Sequence, residues 1–156
     1  MKKTILVLTI LLLIGCKSKP VVVQPVEIKC VKLSISEVDE NQKKTAYDLG
    51  KRVLMICNTS KFIPFKESEA TPSVIANTTL EKHSATCLKF RARYGSFIDL
   101  KLMEVHKNST ENTTVFRYKA LYEHENANKE LRVTLNAENK VSSLKTMEWV
   151  DAFKCK

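Results

Sequence analysis

The stretch Val115-Phe116-Arg117-Tyr118-Lys119-Ala120-Leu121-Tyr122-Glu123-His124 decides the fold. Phe116, Tyr118, Ala120 and Tyr122 fall at every second position. Arg117, Lys119 and Glu123 fall between them, with Leu121 the exception. Side chains alternate across a strand, so the pattern predicts one apolar face and one charged face. A slip of one residue would bury Arg117 and Lys119 and expose the aromatic rings, so the pattern also fixes the register. The expectation is that the aromatic side faces a helical layer, while Arg117 and Lys119 face solvent or a partner.

Working outward, the same period of two predicts strands at residues 97–106, 130–136 and 141–149. In residues 130–136, Leu131, Val133 and Leu135 face inward, and Arg132 and Thr134 face out. The connections 108–113, 125–129 and 136–140 are short and polar, which predicts antiparallel hairpins. Towards the N-terminus the period becomes helical. Ala46, Leu49, Gly50, Val53, Ile56 and Cys57 form one stripe. That helix is expected to start near Ser36, where Glu37, Asp39 and Glu40 suit its positive end, and to stop at Asn58-Thr59-Ser60. A second helix is expected from Thr71-Pro72-Ser73, with Ala76, Leu80, His83, Cys87, Phe90 and Tyr94 on one face and Gly95 as its cap. Two N-terminal helices packed on a curved antiparallel four-stranded meander make an α+β fold.

The chain begins with Lys2 and Lys3, continues through an apolar run from Ile5 to Ile14 broken only by Thr9, and reaches Gly15-Cys16. A basic start, an apolar centre and a small residue before the cut describe a secretory signal, too short to span a bilayer. Leu13-Ile14-Gly15-Cys16 resembles the lipobox of bacterial lipoproteins. The resemblance implies cleavage before Cys16 and acylation of that cysteine, and several acyl chains suffice for stable anchoring. The expected organisation is a signal peptide over residues 1–15, a lipidated Cys16 and tether over 16–35, and one domain over 36–156. Pro20 and Pro25 favour extended backbone in the tether, and residues 26–35 alternate weakly enough to suit an edge strand. The expected location is the bacterial cell envelope, membrane-tethered by lipid, with the domain periplasmic or surface-exposed. The formal charge of +9 falls by the two leader lysines to +7. Outside the cytoplasm such a charge suits anionic head groups, wall polymers or acidic proteins rather than nucleic acid. Lys89, Arg91 and Arg93 are expected on a solvated helix face.

Without Cys16, four cysteines remain: Cys30, Cys57, Cys87 and Cys155. In an oxidising compartment an even number predicts two disulfides with three connectivities open, or free thiols packed as small apolar residues. A Cys30–Cys155 bridge would close 125 residues and a Cys57–Cys87 bridge 30. Loop entropy gives each about 3.5 to 5 kcal/mol.

The order of helices, the Tyr94-Gly95-Ser96-Phe97 junction, and the strands Phe116-Arg117-Tyr118-Lys119-Ala120-Leu121-Tyr122-Glu123 and Leu131-Arg132-Val133-Thr134-Leu135-Asn136 resemble the nuclear transport factor 2-like superfamily, whose small bacterial versions are domains of unknown function. The resemblance spans residues 43–149. It implies a cone-shaped sheet around helices with a pocket at the wide end. In some members, ketosteroid isomerases and dehydratases, a pocket Asp, Tyr or His does chemistry.

Cleavage would leave two glycines, Gly50 and Gly95, which excludes a glycine-rich phosphate loop. There is no His-Glu-x-x-His and no Gly-x-Ser-x-Gly. His83 and Cys87, four apart on a helix, could start a zinc site, but no further ligands accompany them, so neither metal nor cofactor is expected. The sequons at Asn58, Asn77, Asn108 and Asn112 are chance products of an Asn- and Thr-rich chain. Asp99 could act as a general base in an apolar pocket, yet Lys101 as same-face neighbour predicts an exposed ion pair instead. The pocket candidates are Tyr94, Tyr118, Tyr122 and His83. The leading expectation is a non-enzymatic module binding a small apolar ligand or an envelope protein. The alternatives are a pocket enzyme of isomerase, dehydratase or hydrolase type, and a structural subunit that assembles through its sheet.

Overall fold

Helix formation begins one turn later than Ser36. In the computed structural model, which describes residues 30–154, Ile35–Glu37 form a single 3₁₀ turn and α1 runs Glu40–Thr59. Asp39 caps α1 by accepting a hydrogen bond from the Gln42 N–H at 2.9 Å. A side-chain oxygen at that position satisfies one of the donors that a helix start leaves open. Ser60 ends the helix in the left-handed conformation. The expected stripe is the buried one, since Ala46, Leu49, Gly50, Val53 and Ile56 face the core together with Leu54. At Gly50 the helix comes so close to the sheet that a Cβ would meet Leu131 at 2.8 Å and Val133 at 3.1 Å.

The expected second helix is two helices, α2 (Pro72–Asn77) and α3 (Leu80–Tyr94). Thr78 leaves the helical region, and the Thr79 side chain restarts the chain by accepting from the Lys82 N–H. Threonine is as good a cap as it is a poor helix interior, which explains the break. Gly95 closes α3 at φ 76°, where a Cβ would meet Glu123 at 2.7 Å. Lys89, Arg91 and Arg93 are exposed on α3.

The described residues form five strands, in spatial order β1-β2-β3-β4-β5, all antiparallel neighbours. They are β1 (Cys30–Leu33), β2 (Phe97–Asn108), β3 (Thr113–Tyr122), β4 (Lys129–Leu135) and β5 (Val141–Glu148). This corrects the expected two-helix, four-stranded cone of the nuclear transport factor 2-like kind: the described residues form three α-helices, and β1 lies on the sheet's edge, paired with β2 from Cys30↔Asn108 to Leu33↔Val105. Part of the expected tether is therefore sheet. Residues 16–29 of the tether with Cys16, the leader and Cys155 lie outside the described residues.

The inner face of the sheet carries the apolar core. Phe116, Tyr118 and Ala120 of β3 and Leu131, Val133 and Leu135 of β4 are all buried there. Two irregularities in β2 shift its alternation, one between Phe97 and Asp99 and one between Leu102 and Glu104. Bulges of this kind let Phe97 and Leu100, three apart, both enter the core.

The outer face differs from expectation at Arg117. It points away from the helices as predicted but is fully buried rather than solvated. Its Nε and Nη2 donate to the two oxygens of Glu130 at 2.9 and 2.8 Å, and its Nη1 donates to Glu104. The C-terminal segment crosses above. Trp149 and Phe153 stack on the guanidinium at 4.3 and 5.1 Å, and the Val150 carbonyl accepts from Nη2 at 2.6 Å. Lys119, two residues on, is partly exposed.

Candidate functional site

α1 and α3 diverge from the sheet around an apolar cleft of about 270 Å³. Val53, Leu54 and Cys57 of α1 line one wall, His83, Thr86 and Phe90 of α3 the other, and Tyr122 and Thr146 the sheet side. Asn77 and Lys82 border it and hydrogen bond to each other at 3.0 Å. The volume approaches the small-molecule range of about 300 to 1,000 Å³.

A disulfide between Cys57 and Cys87 fastens the two helices with their Cα atoms 4.8 Å apart, resolving that part of the open connectivity. Cys30 is also disulfide-bonded. α3 needs the tie. Among its described side chains only Tyr94 is buried, and Leu80 and Leu88 are 50 and 78 % exposed. Because Cys87 is oxidised it offers no thiolate to a metal beside His83. Among the described residues no group of three or more His, Cys, Asp or Glu side chains is placed to hold a metal ion.

Of the four pocket candidates, His83 and Tyr122 line the cleft. Tyr94 stands behind Tyr122, ring centroids 5.8 Å apart, in a cluster with Phe90 and Phe97. Tyr118 is not in the cleft. It lies 1 % exposed in the core, with a hydroxyl that finds no partner among the described residues. Burial pushes its phenol well above the usual tyrosine value. Burial likewise raises Tyr122 to about 12 and lowers His83, so both are neutral at pH 7. The His83 ring lies 6.2 Å from Phe62 and makes no hydrogen bond to a described residue. Among the described residues no carboxylate lines the cleft.

Asp99 is not the partner of Lys101. At the β2 irregularity it turns to α1, where Tyr47 donates to it at 2.6 Å and Lys51 at 3.0 Å. These hydrogen bonds hold its carboxyl below the ordinary range. The sequon residue Asn58 is occupied structurally, donating to the Phe97 carbonyl at 2.6 Å and accepting from its N–H at 3.0 Å.

Sequence reading missed Lys82, Thr86 and Thr146 in this cleft. Thr146 was recoverable: it pairs with Leu131, an inward position, so it shares the inner face. It also missed the outer cluster. There Glu104 meets Arg117, Lys32 at 2.7 Å and His106 at 3.1 Å, and Arg132 joins Glu130 at 2.8 Å. Burial alone would raise the Glu104 carboxyl, but hydrogen bonds from Lys32, His106 and Arg117 outweigh it and hold it at about 2. No protein-family model, no curated protein and no solved structure matches the chain.

Proposed function

We propose that this chain is a lipid-anchored protein of the bacterial envelope whose domain binds a small apolar molecule, without catalysis, in the cleft between α1, α3 and the sheet. The observation that carries the binding part is an apolar cleft with one wall fastened by the Cys57–Cys87 bridge and no activated group inside. A bridge from α1 to α3 fixes the spacing of the two walls, and a preformed site spares a ligand the cost of ordering it. Support for the anchor comes from Leu13-Ile14-Gly15-Cys16 behind the apolar run. No helix among the described residues is long and apolar enough to cross a membrane.

An isomerase, dehydratase or hydrolase would need a base held in place beside an acid. His83 has no orienting carboxylate, Tyr122 is a weaker acid than an ordinary tyrosine, and Asp99 is spent on Tyr47 and Lys51. The chemistry on the cleft wall favours binding.

Titration of the full chain with cyclohexanol, a neutral apolar probe, followed by NMR tests the cleft. Resonances of Tyr122, Phe90 and Thr86 should move, and Thr146→Phe, which fills the space, should abolish the shifts. Shifts that survive Thr146→Phe would overturn the assignment. The anchor has its own test, fatty-acid labelling in the native host. Label should vanish in Cys16→Ser, and retained label would refute lipidation there.

A further inference from the structure

The outer face holds a second and larger cleft, of about 440 Å³, between β3, β4, β5 and the C-terminal segment. Its chemistry is the opposite of the inner one. Register places Arg117 opposite Arg132, and Arg132 opposite Lys145, in a row of three cations across adjacent strands. Like charges directly opposite destabilise a sheet unless something compensates them. Glu130 and Glu104 neutralise the Arg117 end. Arg132 gives only Nε to Glu130, and neither of its terminal nitrogens donates to a described residue. Lys145 forms no ion pair with a described residue, and neither does Lys154, which lines the same cleft. Among the described lining residues Glu111 is the one carboxylate, against three cations.

The rest of the lining is hydroxyl-rich: Thr113, Thr134, Ser142 and Ser143. The Thr113 hydroxyl is buried and has no partner among the described residues, although buried polar atoms are nearly always satisfied. Phe153 adds an aromatic surface at the end of the cleft, with Arg132 stacked on it at 4.7 Å. Two lysines without an ion pair to a described residue, the terminal nitrogens of Arg132, the unpartnered Thr113 hydroxyl and one aromatic face together match a small sugar carrying a phosphate or carboxylate group. The cations pair with the anion, the hydroxyls exchange hydrogen bonds with the ring hydroxyls, and Phe153 covers the sugar's C–H surface. The volume falls within the small-molecule range of about 300 to 1,000 Å³.

We propose that this outer cleft is a binding site for a free anionic sugar, with Arg132, Lys145 and Lys154 holding the anion and Thr113 and Ser143 holding sugar hydroxyls. The site is separate from the inner cleft and stands whether or not that cleft binds an apolar molecule.

Calorimetric titration of the full chain with glucose 6-phosphate, glucuronate, inorganic phosphate and glucose tests it. Both anionic sugars should bind more tightly than glucose, and glucose 6-phosphate more tightly than phosphate. Lys145→Gln with Lys154→Gln should weaken the anionic sugars by about tenfold or more, as expected for losing charge-assisted hydrogen bonds. Both lysines are exposed, so an unchanged melting temperature confirms that the fold is intact. Thr113→Val, which keeps the shape and removes the hydroxyl, should weaken the sugars and leave phosphate unaffected. Glucose binding as tightly as its phosphate, no binding of either anionic sugar, or affinities unchanged in the double variant would overturn the site. Phosphate binding as tightly as glucose 6-phosphate would overturn its assignment to a sugar.

Discussion

The two faces of one sheet are built on opposite principles. The inner face is sealed by α1 with apolar side chains, Phe116, Leu131 and Val133 among them. The outer face is sealed by the C-terminal segment over charges, with Arg117 and Glu130 both fully buried. The inner face tolerates imprecision, because apolar burial has no direction. The outer face does not, because each buried charge needs its partner at hydrogen-bond distance. Neighbouring residues of the same strand, Arg117 and Tyr118, therefore report on two kinds of core.

Arg117→Ala should show the largest effect. It removes the buried partner that both Glu130 and Glu104 share, leaves Glu130 fully buried with Arg132 alone, and should cost about 3 to 5 kcal/mol in chemical denaturation, the usual result of breaking a buried pair from one side. Tyr118→Ala, on the apolar side, should cost about 3 kcal/mol through the cavity it leaves. Tyr118→Phe removes only an unpartnered hydroxyl and should be neutral or slightly stabilising. A loss above about 1 kcal/mol in Tyr118→Phe would mean that the hydroxyl has a partner and the inner face is less apolar than described.

Acid should act on the outer face first. Glu104 is held at about 2 against an ordinary value near 4.5. A depressed carboxylate contributes its full stability above its unfolded value and loses it as pH falls through the folded one. Stability should therefore drop by up to about 3 kcal/mol between pH 5 and pH 2 on account of this group. Denaturation across that range should give a shallower slope for Glu104→Gln, and an identical slope would remove Glu104 from the network.

Lys119→Ala should have the smallest effect. Lys119 sits on the same face as Arg117, 5.4 Å from the Trp149 ring, but beyond the sealed cluster. Its loss should cost under about 1 kcal/mol. A cost close to that of Arg117→Ala would erase the distinction between the sealed and open parts of the outer face.

This contrast also explains what the sequence made legible. The alternation of Phe116, Tyr118 and Ala120 and the stripe from Ala46 to Ile56 each encode a local period, and both appear as read. Alternation states which face a side chain takes but not what covers it. Arg117 looked solvated because its cover, Trp149 to Phe153, lies more than thirty residues away. The edge strand offered for residues 26–35 is present as β1 over Cys30–Leu33, and its weak alternation becomes a strand through pairing with β2. The Asp99–Lys101 pair failed because Asp99 instead bonds Tyr47 and Lys51 of α1, about fifty residues away, which alternation along β2 does not report. In the inner cleft His83 and Tyr122 were accessible from their stripes, whereas Tyr118 was placed there by parity alone and lies too deep in the core.

A double-mutant cycle on Arg117 and Glu130 tests the central claim most directly. Arg117→Met, Glu130→Leu and the pair are compared by chemical denaturation. A buried ion pair that seals the outer face predicts that each single variant is strongly destabilising, that the pair recovers much of the loss, and that the coupling energy is about 2 kcal/mol or more. Additive effects, with coupling within about 0.5 kcal/mol, would contradict it and return Arg117 to the solvated surface.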